Sequence, residues 1–249
     1  MTIYGKAEFN IEGITKCLAL NWFVRAYIIL YIFSPVLNKF IDHADKKELK
    51  TVLLSFFCFQ TIYSFATNWD FALMSGYSPL SFMGLYLLAR YANIYRPLWT
   101  SFSIKKYAAI FTASTLIIAV IGYFAMRHDL INVSNQMFAY ANPLVIVSAL
   151  SLLLSFSQIH IKSKAVNWCA ASCLAVFLLI AHPNVFDTYF KPMAVLIYGK
   201  TSGIEYLICI FMYMIFISVL AILIDKIRMF LWEKTASLCV QMLKQRHEH

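Results

Sequence analysis

Seven apolar stretches, each close to the length that crosses a bilayer, run along this chain, and the lysines and arginines between them fall mostly on one side. The stretches are Trp22 to Ile41, Val52 to Ala66, Pro79 to Tyr95, Tyr107 to Met126, Phe138 to Ile159, Val166 to Ala181 and Ile204 to Ile224. A hydrocarbon core about 30 Å thick needs about 20 apolar residues in helical form. The second and sixth stretches are shorter and have to draw on flanking turns. With 61% hydrophobic and 13% charged residues over 249 positions, the chain cannot bury its apolar surface in one water-soluble core. β-Barrel strands would alternate in polarity, whereas runs such as Leu53-Leu54-Ser55-Phe56-Phe57 are nearly unbroken. The expected fold is an all-α membrane protein, a multi-pass helical bundle of about seven transmembrane helices.

Loop charge supplies the orientation. Lys39, Lys46, Lys47 and Lys50 follow the first stretch, Arg96, Lys105 and Lys106 the third, Lys162 and Lys164 the fifth, and Lys226, Arg228, Lys234, Lys244 and Arg246 the seventh. The opposite loops hold Lys6, Lys16, Arg127, Lys191 and Lys200. Fourteen against five places the carboxyl end in the cytoplasm and the amino end outside. The formal charge of +9 is therefore a topology signal spread over short loops, and nucleic acid is not expected as a partner. The lipid bilayer is.

Residues 1–20 carry Lys6, Glu8, Glu12 and Lys16 and have neither a signal-peptide pattern nor a span; Ile11, Ile14, Leu18 and Leu20 suit an external segment lying at the interface. Residues 21–231 form one transmembrane domain, and 232–249 a basic cytoplasmic tail. An amino end outside the membrane with no signal to carry it there suggests a chain that begins mid-protein. Cys17, Cys58, Cys169, Cys173, Cys209 and Cys239 are dispersed and read as small apolar packing residues, with no zinc site or disulfide framework legible. No metal is expected, the His247-Glu248-His249 tail included.

Polar side chains inside the stretches are the candidates for function. Tyr27, Tyr31, Ser34 and Asn38 recur at steps of four, three and four along the first, beside Pro35, and share a helix face. Arg25 lies a turn from the outer boundary, within snorkelling reach. In the third stretch Tyr86, Arg90 and Asn93 share a face near the cytoplasmic end, where Arg90 suits either an anionic ligand or the role of a positive-inside anchor. Ser148, Ser151, Ser155 and Gln158 form a stripe in the fifth, the pattern of close helix packing. His182 ends the sixth before Pro183 and Asn184, placed to titrate, to shuttle a proton or to cap the helix. A retinal protein would need a lysine in the last stretch, and Ile204 to Ile224 has none. The nucleophile elbow, phosphate-binding glycine loop, H-E-x-x-H pair and dinucleotide fingerprint are absent from the sequence.

The run from Trp22 to Asn38, Trp-Phe-Val-Arg-Ala-Tyr-Ile-Ile-Leu-Tyr-Ile-Phe-Ser-Pro-Val-Leu-Asn, resembles the aromatic W-F…Y-L-L-Y-L-L-S-P-x-L-N span of the integral-membrane acyltransferase family 3. Gly76-Tyr77-Ser78 leading to Phe82, Tyr86 and Ala89-Arg90-Tyr91, then Ser151 to Phe156, agree in order, and the likeness extends over most of residues 11–231. The resemblance implies a ten-span inner-membrane protein that moves an acyl group, usually acetyl, from cytoplasmic acyl-CoA onto sugars outside. Removing three leading spans leaves seven and an external amino end, the arrangement that the loop charges indicate. The family's essential histidine and its arginines belong to those leading spans, so the resemblance transfers no catalytic base. The family's S-T-F-G-I-Y-L-I-H run meets Ser172 to Ile180 here, with Ile180 at the motif histidine and His182 two residues beyond.

The expectation is thus the carboxyl-terminal part of a membrane O-acyltransferase acting on a surface or lipid-linked glycan in the inner (plasma) membrane. Acyl-CoA is the donor substrate, no resident cofactor is expected, and the piece alone would have little activity. Arg25, Tyr27, Tyr31, Ser34, Asn38, Tyr86, Arg90, Asn93 and His182 are the residues expected along the substrate path, and Arg90, Arg96, Lys105 and Lys106 those expected to meet the CoA phosphates. The alternative is a non-catalytic scaffold or transport component of glycan assembly, a remnant of the fold without its chemistry.

Overall fold

The computed structural model describes residues 21–67 and 74–247, so the expected interfacial segment 1–20 lies outside the described residues. All regular structure among them is helical. The chain forms two compact units that divide between Ile161 and Lys162.

The first unit opens with α1 (Trp22–His43), whose Asn21 side chain accepts hydrogen bonds from the Phe23 and Val24 amides at 3.0 and 3.2 Å. Those bonds satisfy two of the four amides left open at any helix start. The helix continues through Pro35, and Ala44 ends it in extended conformation. Asp45 then starts α2 (Lys46–Ala66) with a reciprocal capping box: the Glu48 amide donates to Asp45 Oδ1 at 2.7 Å, and the Asp45 amide to Glu48 Oε2 at 3.0 Å. This cap supplies what the short second apolar stretch lacked. The helix starts six residues ahead of Val52, with the lysine-rich turn built into it.

Ser78 caps α3 (Pro79–Tyr95), with Pro79 in the first turn, where a missing amide costs nothing. Ser103 caps α4 (Ile104–Arg127). The short α5 (Ile131–Met137) follows, then α6 (Pro143–Ser157), capped by Asn142. Here the structure differs from the sequence expectation. Apolarity alone carries a span from Phe138, but Asn142-Pro143 forces a new helix start, and the residues before it turn back.

α1 packs on α3, α3 on α2, and α4 on both α5 and α6. Ile41, Leu49, Leu53, Leu87 and Tyr91 form a buried cluster where the α1–α2 corner meets the end of α3. At the opposite end of α3, Trp22 and Tyr140 both lie against Tyr77, with ring centroids 4.5 and 4.6 Å away. Gly76 lets this corner close. Its φ of +97° suits glycine, and a Cβ there would come within 2.6 Å of the Tyr140 and Ala141 backbone.

The second unit holds α7 (Lys164–Ala170), α8 (Cys173–Ile180), α9 (Lys191–Lys200) and α10 (Gly203–His247). The sixth apolar stretch is therefore two helices, broken at Ala171-Ser172. A π-helical turn over Phe186–Phe190 leads into α9. α8 and α9 both pack on α10. α10 has 45 residues, roughly 68 Å at 1.5 Å per residue, more than twice a bilayer core. The seventh stretch is thus the first half of a helix that continues through the basic tail.

Among the described residues, four helices are by themselves long and apolar enough to cross a membrane: Trp22–His43, Lys46–Ala66, Ile104–Arg127 and Gly203–Thr235. The other three expected spans correspond to the 17-residue α3, the 15-residue α6 and the broken α7–α8 pair. The protein is an all-α, multi-pass membrane protein.

Candidate functional site

In the first unit the stripe on α1 and the stripe on α3 meet at one point. Tyr86 Oη donates to Asn38 Oδ1 at 2.6 Å, a short bond between half-buried side chains 48 residues apart in sequence. One turn further along α3, Arg90 is half-buried and its Nε is shielded from solvent without a hydrogen-bond partner. Such a nitrogen is costly unless something pairs with it. The rest of the α1 stripe is not drawn in. Tyr27 and Tyr31 are 55% and 73% exposed, Ser34 Oγ donates to its own helix at Tyr31 O, 2.8 Å, and Arg25 and Asn93 are exposed.

Of the residues expected to meet CoA phosphates, Arg96 is exposed in a left-handed conformation (φ 38°) that ends α3. Lys105 is exposed on the first turn of α4. The Lys106 ammonium lies 3.5 Å from the Phe102 ring centroid, a cation–π contact. Lys46 and Lys50, which loop charge marks only as orientation signals, border an apolar cavity of about 870 Å³ that also includes Leu53, Phe57, Leu88 and Trp99.

A second polar assembly escaped the sequence reading. Gln60 and Ser64 lie four apart on α2, 1% and 3% exposed. Ser81 Oγ donates to Gln60 Oε1 at 3.0 Å and lies 3.2 Å from Ser78 Oγ, while Ser64 Oγ donates to Gln136 Oε1 at 3.0 Å. Asn142 Nδ2 donates to the Gln136 and Met137 carbonyls, both at 3.2 Å. The spacing of Gln60 and Ser64 was the available signal. The bonds tie α2 to α3 and α5, and since the side chains answer one another their role is to fix helix positions. Packing likewise accounts for the serines of α6: Ser148, Ser151 and Ser155 each donate to a carbonyl of their own helix, and Gln158 Nε2 reaches Phe102 O at 2.7 Å.

Beyond the membrane-spanning helices, burial pushes the Tyr77 phenol above its ordinary range, and the neighbouring Tyr140 adds to the shift.

In the second unit His182 is half-buried just past α8, and its Nδ1 is shielded from solvent with no hydrogen-bond partner. It borders a cavity of about 620 Å³ that Arg228 of α10 also lines. Beside Arg228, the Asp225 side chain is 3% exposed and accepts from Arg228 Nε at 2.7 Å. Ser172, fully buried at the α7–α8 break, interacts electrostatically with that carboxylate, yet its Oγ and Asp225 Oδ2 both lack a partner at bonding distance. None of Asp225, Arg228 and Ser172 stood out in the sequence, because Asp225 sits where an apolar stretch gives way to an ordinary basic loop.

The family described as an acyltransferase domain matches residues 7–223, most of the chain. The chain belongs to acyltransferase family 3. No curated protein and no solved structure matches it. The first unit holds a phenol–amide bond with an adjacent arginine, and the second an imidazole bordering a cavity.

Proposed function

We propose that this protein is a membrane O-acyltransferase that takes an acyl group, with acetyl the expected one, from acyl-CoA and esterifies a hydroxyl of a surface or lipid-linked glycan. The family match over residues 7–223 carries the reading. Transfer of this kind forms a C–O bond at the thioester carbonyl and breaks its C–S bond. The acceptor hydroxyl gives up a proton, and the CoA sulfur leaves as thiolate or thiol. The reaction needs a base at the hydroxyl and positive or N–H groups where charge develops.

On this chain the group with chemistry suited to the proton is His182, whose Nδ1 is shielded and unoccupied by any hydrogen bond. Arg90 suits the anionic donor, because its Nε is equally unsatisfied and phosphate accepts a guanidinium well. Arg96, Lys105 and Lys106 lie on the side of the membrane that loop charge assigns to the cytoplasm, where acyl-CoA is found. The same charge pattern supports insertion in the inner membrane with the carboxyl end inside.

The test uses membranes from cells that express the complete gene product, with acetyl-CoA labelled in the acetyl carbons. Label is expected in a glycan fraction and released by mild alkali, as an ester requires. His182→Gln lowers that incorporation by about 10²-fold or more, the usual contribution of a positioned acid–base group. Absence of label from every glycan fraction, with the protein present and folded, refutes the reading and leaves the non-catalytic scaffold.

A further inference from the structure

The Asp225–Arg228 pair has no part in the reading above, and its depth is informative. Ile204 to Ile224 accounts for about 30 Å of helix, a full hydrocarbon core, so Asp225 sits at the core's edge and Arg228 a turn further, in the headgroup layer. The neighbouring residues mark the same level. Lys226 Nζ lies 4.6 Å from the Trp168 ring centroid, and Trp232 is 69% exposed a turn beyond Arg228, the aromatic and basic composition of a membrane interface.

Arg228 is held rather than loose. Its Nε donates to Asp225 Oδ1 at 2.7 Å, and Asp225 is itself fixed by burial beside Ser172. Among the described residues this is the guanidinium's one ion pair, and the Arg228 side chain is 63% exposed, so its terminal nitrogens stay open to an outside acceptor. The cavity of about 620 Å³ that Arg228 borders is also lined by Ala171, Leu174, Leu178, His182 and Val185. Residues 171 to 182 cover roughly 16 Å if measured as helix, enough for much of one leaflet's acyl chain. An arginine oriented at headgroup depth, above an apolar slot running into the core, matches an amphiphile with an anionic head and a hydrocarbon tail. The charges select among lipids. Lys226 and Arg228 outnumber Asp225, so a zwitterionic head would bring its own cation against an excess of positive charge.

We infer that the second unit carries a binding site for an anionic phospholipid, with the phosphate on Arg228, which Asp225 orients, and one acyl chain in the slot lined by Leu174 and Leu178. The inference does not depend on acyl transfer, and its test reads binding alone.

The full chain, purified in a neutral detergent, is exposed to equal amounts of phosphatidylglycerol and phosphatidylcholine with matched acyl chains, and retained lipid is counted by native mass spectrometry. Phosphatidylglycerol is expected to exceed phosphatidylcholine about fivefold, the worth of one basic side chain near an anionic surface. Arg228→Gln removes that preference. Leu174→Trp, which fills the slot and leaves the charges in place, lowers retention of both lipids and so tests the chain site even if the arginine variant folds poorly. Lys39→Ala, an exposed charge on the first unit, leaves both unchanged. Equal retention of the two lipids by the unmodified protein, or a loss in Lys39→Ala equal to that in Arg228→Gln, overturns the proposal. Displacement of phosphatidylglycerol by excess inorganic phosphate also overturns it, since the site then takes a free anion rather than a lipid.

Discussion

Replacing Ser81 by alanine removes one hydroxyl and leaves a buried acceptor with nothing to accept. Ser81 Oγ donates to Gln60 Oε1 at 3.0 Å, and Gln60, Ser78 and Ser81 are 1%, 1% and 2% exposed, so water has no access to the stranded oxygen. The cap on α3 survives, because it runs from Ser78 Oγ to the Ser81 backbone amide at 3.2 Å and does not use the lost hydroxyl. Two magnitudes compete. A stranded buried acceptor in a water-soluble protein costs about 1–3 kcal/mol. Side-chain bonds inside membrane proteins average about 0.6 kcal/mol, because the chain unfolded within the bilayer finds other partners. Ser81 lies in the first turn of α3, near the membrane surface, where the unfolded chain has water as a partner. The larger range therefore applies, and about 1.5 kcal/mol is expected.

For a chain of this length that corresponds to a fall of roughly 3–6 °C in midpoint temperature, measurable by tryptophan fluorescence in detergent. Gln60→Leu with Ser81→Ala removes acceptor and donor together. The double variant is expected to be less destabilised than the sum of its singles by about 1 kcal/mol, since contacting partners couple. Strict additivity, or a Ser81→Ala midpoint within 1 °C of the unmodified protein, would show that the bond does not tie α2 to α3 and would refute the reasoning.

Gly84 on α3 lies so close to the Phe56 ring that an added Cβ would overlap it, so Gly84→Ala is expected to cost about 1–3 kcal/mol, read as a lower midpoint, with Phe56→Leu relieving part of it. Tyr86→Phe breaks the 2.6 Å bond to Asn38 and costs about 1 kcal/mol; an Asn38→Leu background should erase that cost in a double-mutant cycle. The raised Tyr77 phenol sets a pH dependence. Below the ordinary tyrosine range near pH 10 both folded and unfolded states hold the proton and stability is flat; above it the unfolded chain loses the proton first and stability falls. Tyr77→Phe is expected to make that alkaline decline shallower, and an unchanged slope in thermal scans from pH 8 to 11 would contradict the assignment.

The all-helical, membrane-embedded class was legible because it rests on a bulk property, apolar runs too long and too many for a soluble core. Helix starts carry a local signal that hydropathy does not use, in residue types with one strong local role. Asn21, Asp45, Ser78, Ser103 and Asn142 each accept a bond from the helix that follows. Hydropathy misplaced what short-range chemistry decides. It ran the fifth stretch through Asn142-Pro143, joined α7 to α8 across Ser172, and stopped the seventh at the first charges, although those charges continue as helix to His247.

The polar residues divide along the same line. Looking for tyrosines and charges within apolar stretches found Tyr86, Asn38 and Arg90, but also Tyr27 and Tyr31, which the fold leaves exposed. It passed over Gln60, Ser64 and Gln136, because a buried amide paired to a hydroxyl is conspicuous only once its partner's position is known. Asp225 was harder still. A carboxylate at the end of an apolar stretch looks like solvent exposure, and only the approach of α8 shows it to be 3% exposed. Burial of a charge is a property of the neighbouring helix as much as of the residue, and no single helix's sequence carries it. Single-residue variants of Asp225 should therefore respond to changes on α8. Asp225→Asn is expected to be better tolerated than Asp225→Leu, because the amide oxygen can still accept from Arg228 and keeps a polar group beside the buried Ser172, whereas leucine removes both. Equal loss of folded yield in the two variants would mean that the carboxylate's buried neighbours contribute nothing to holding α8 on α10.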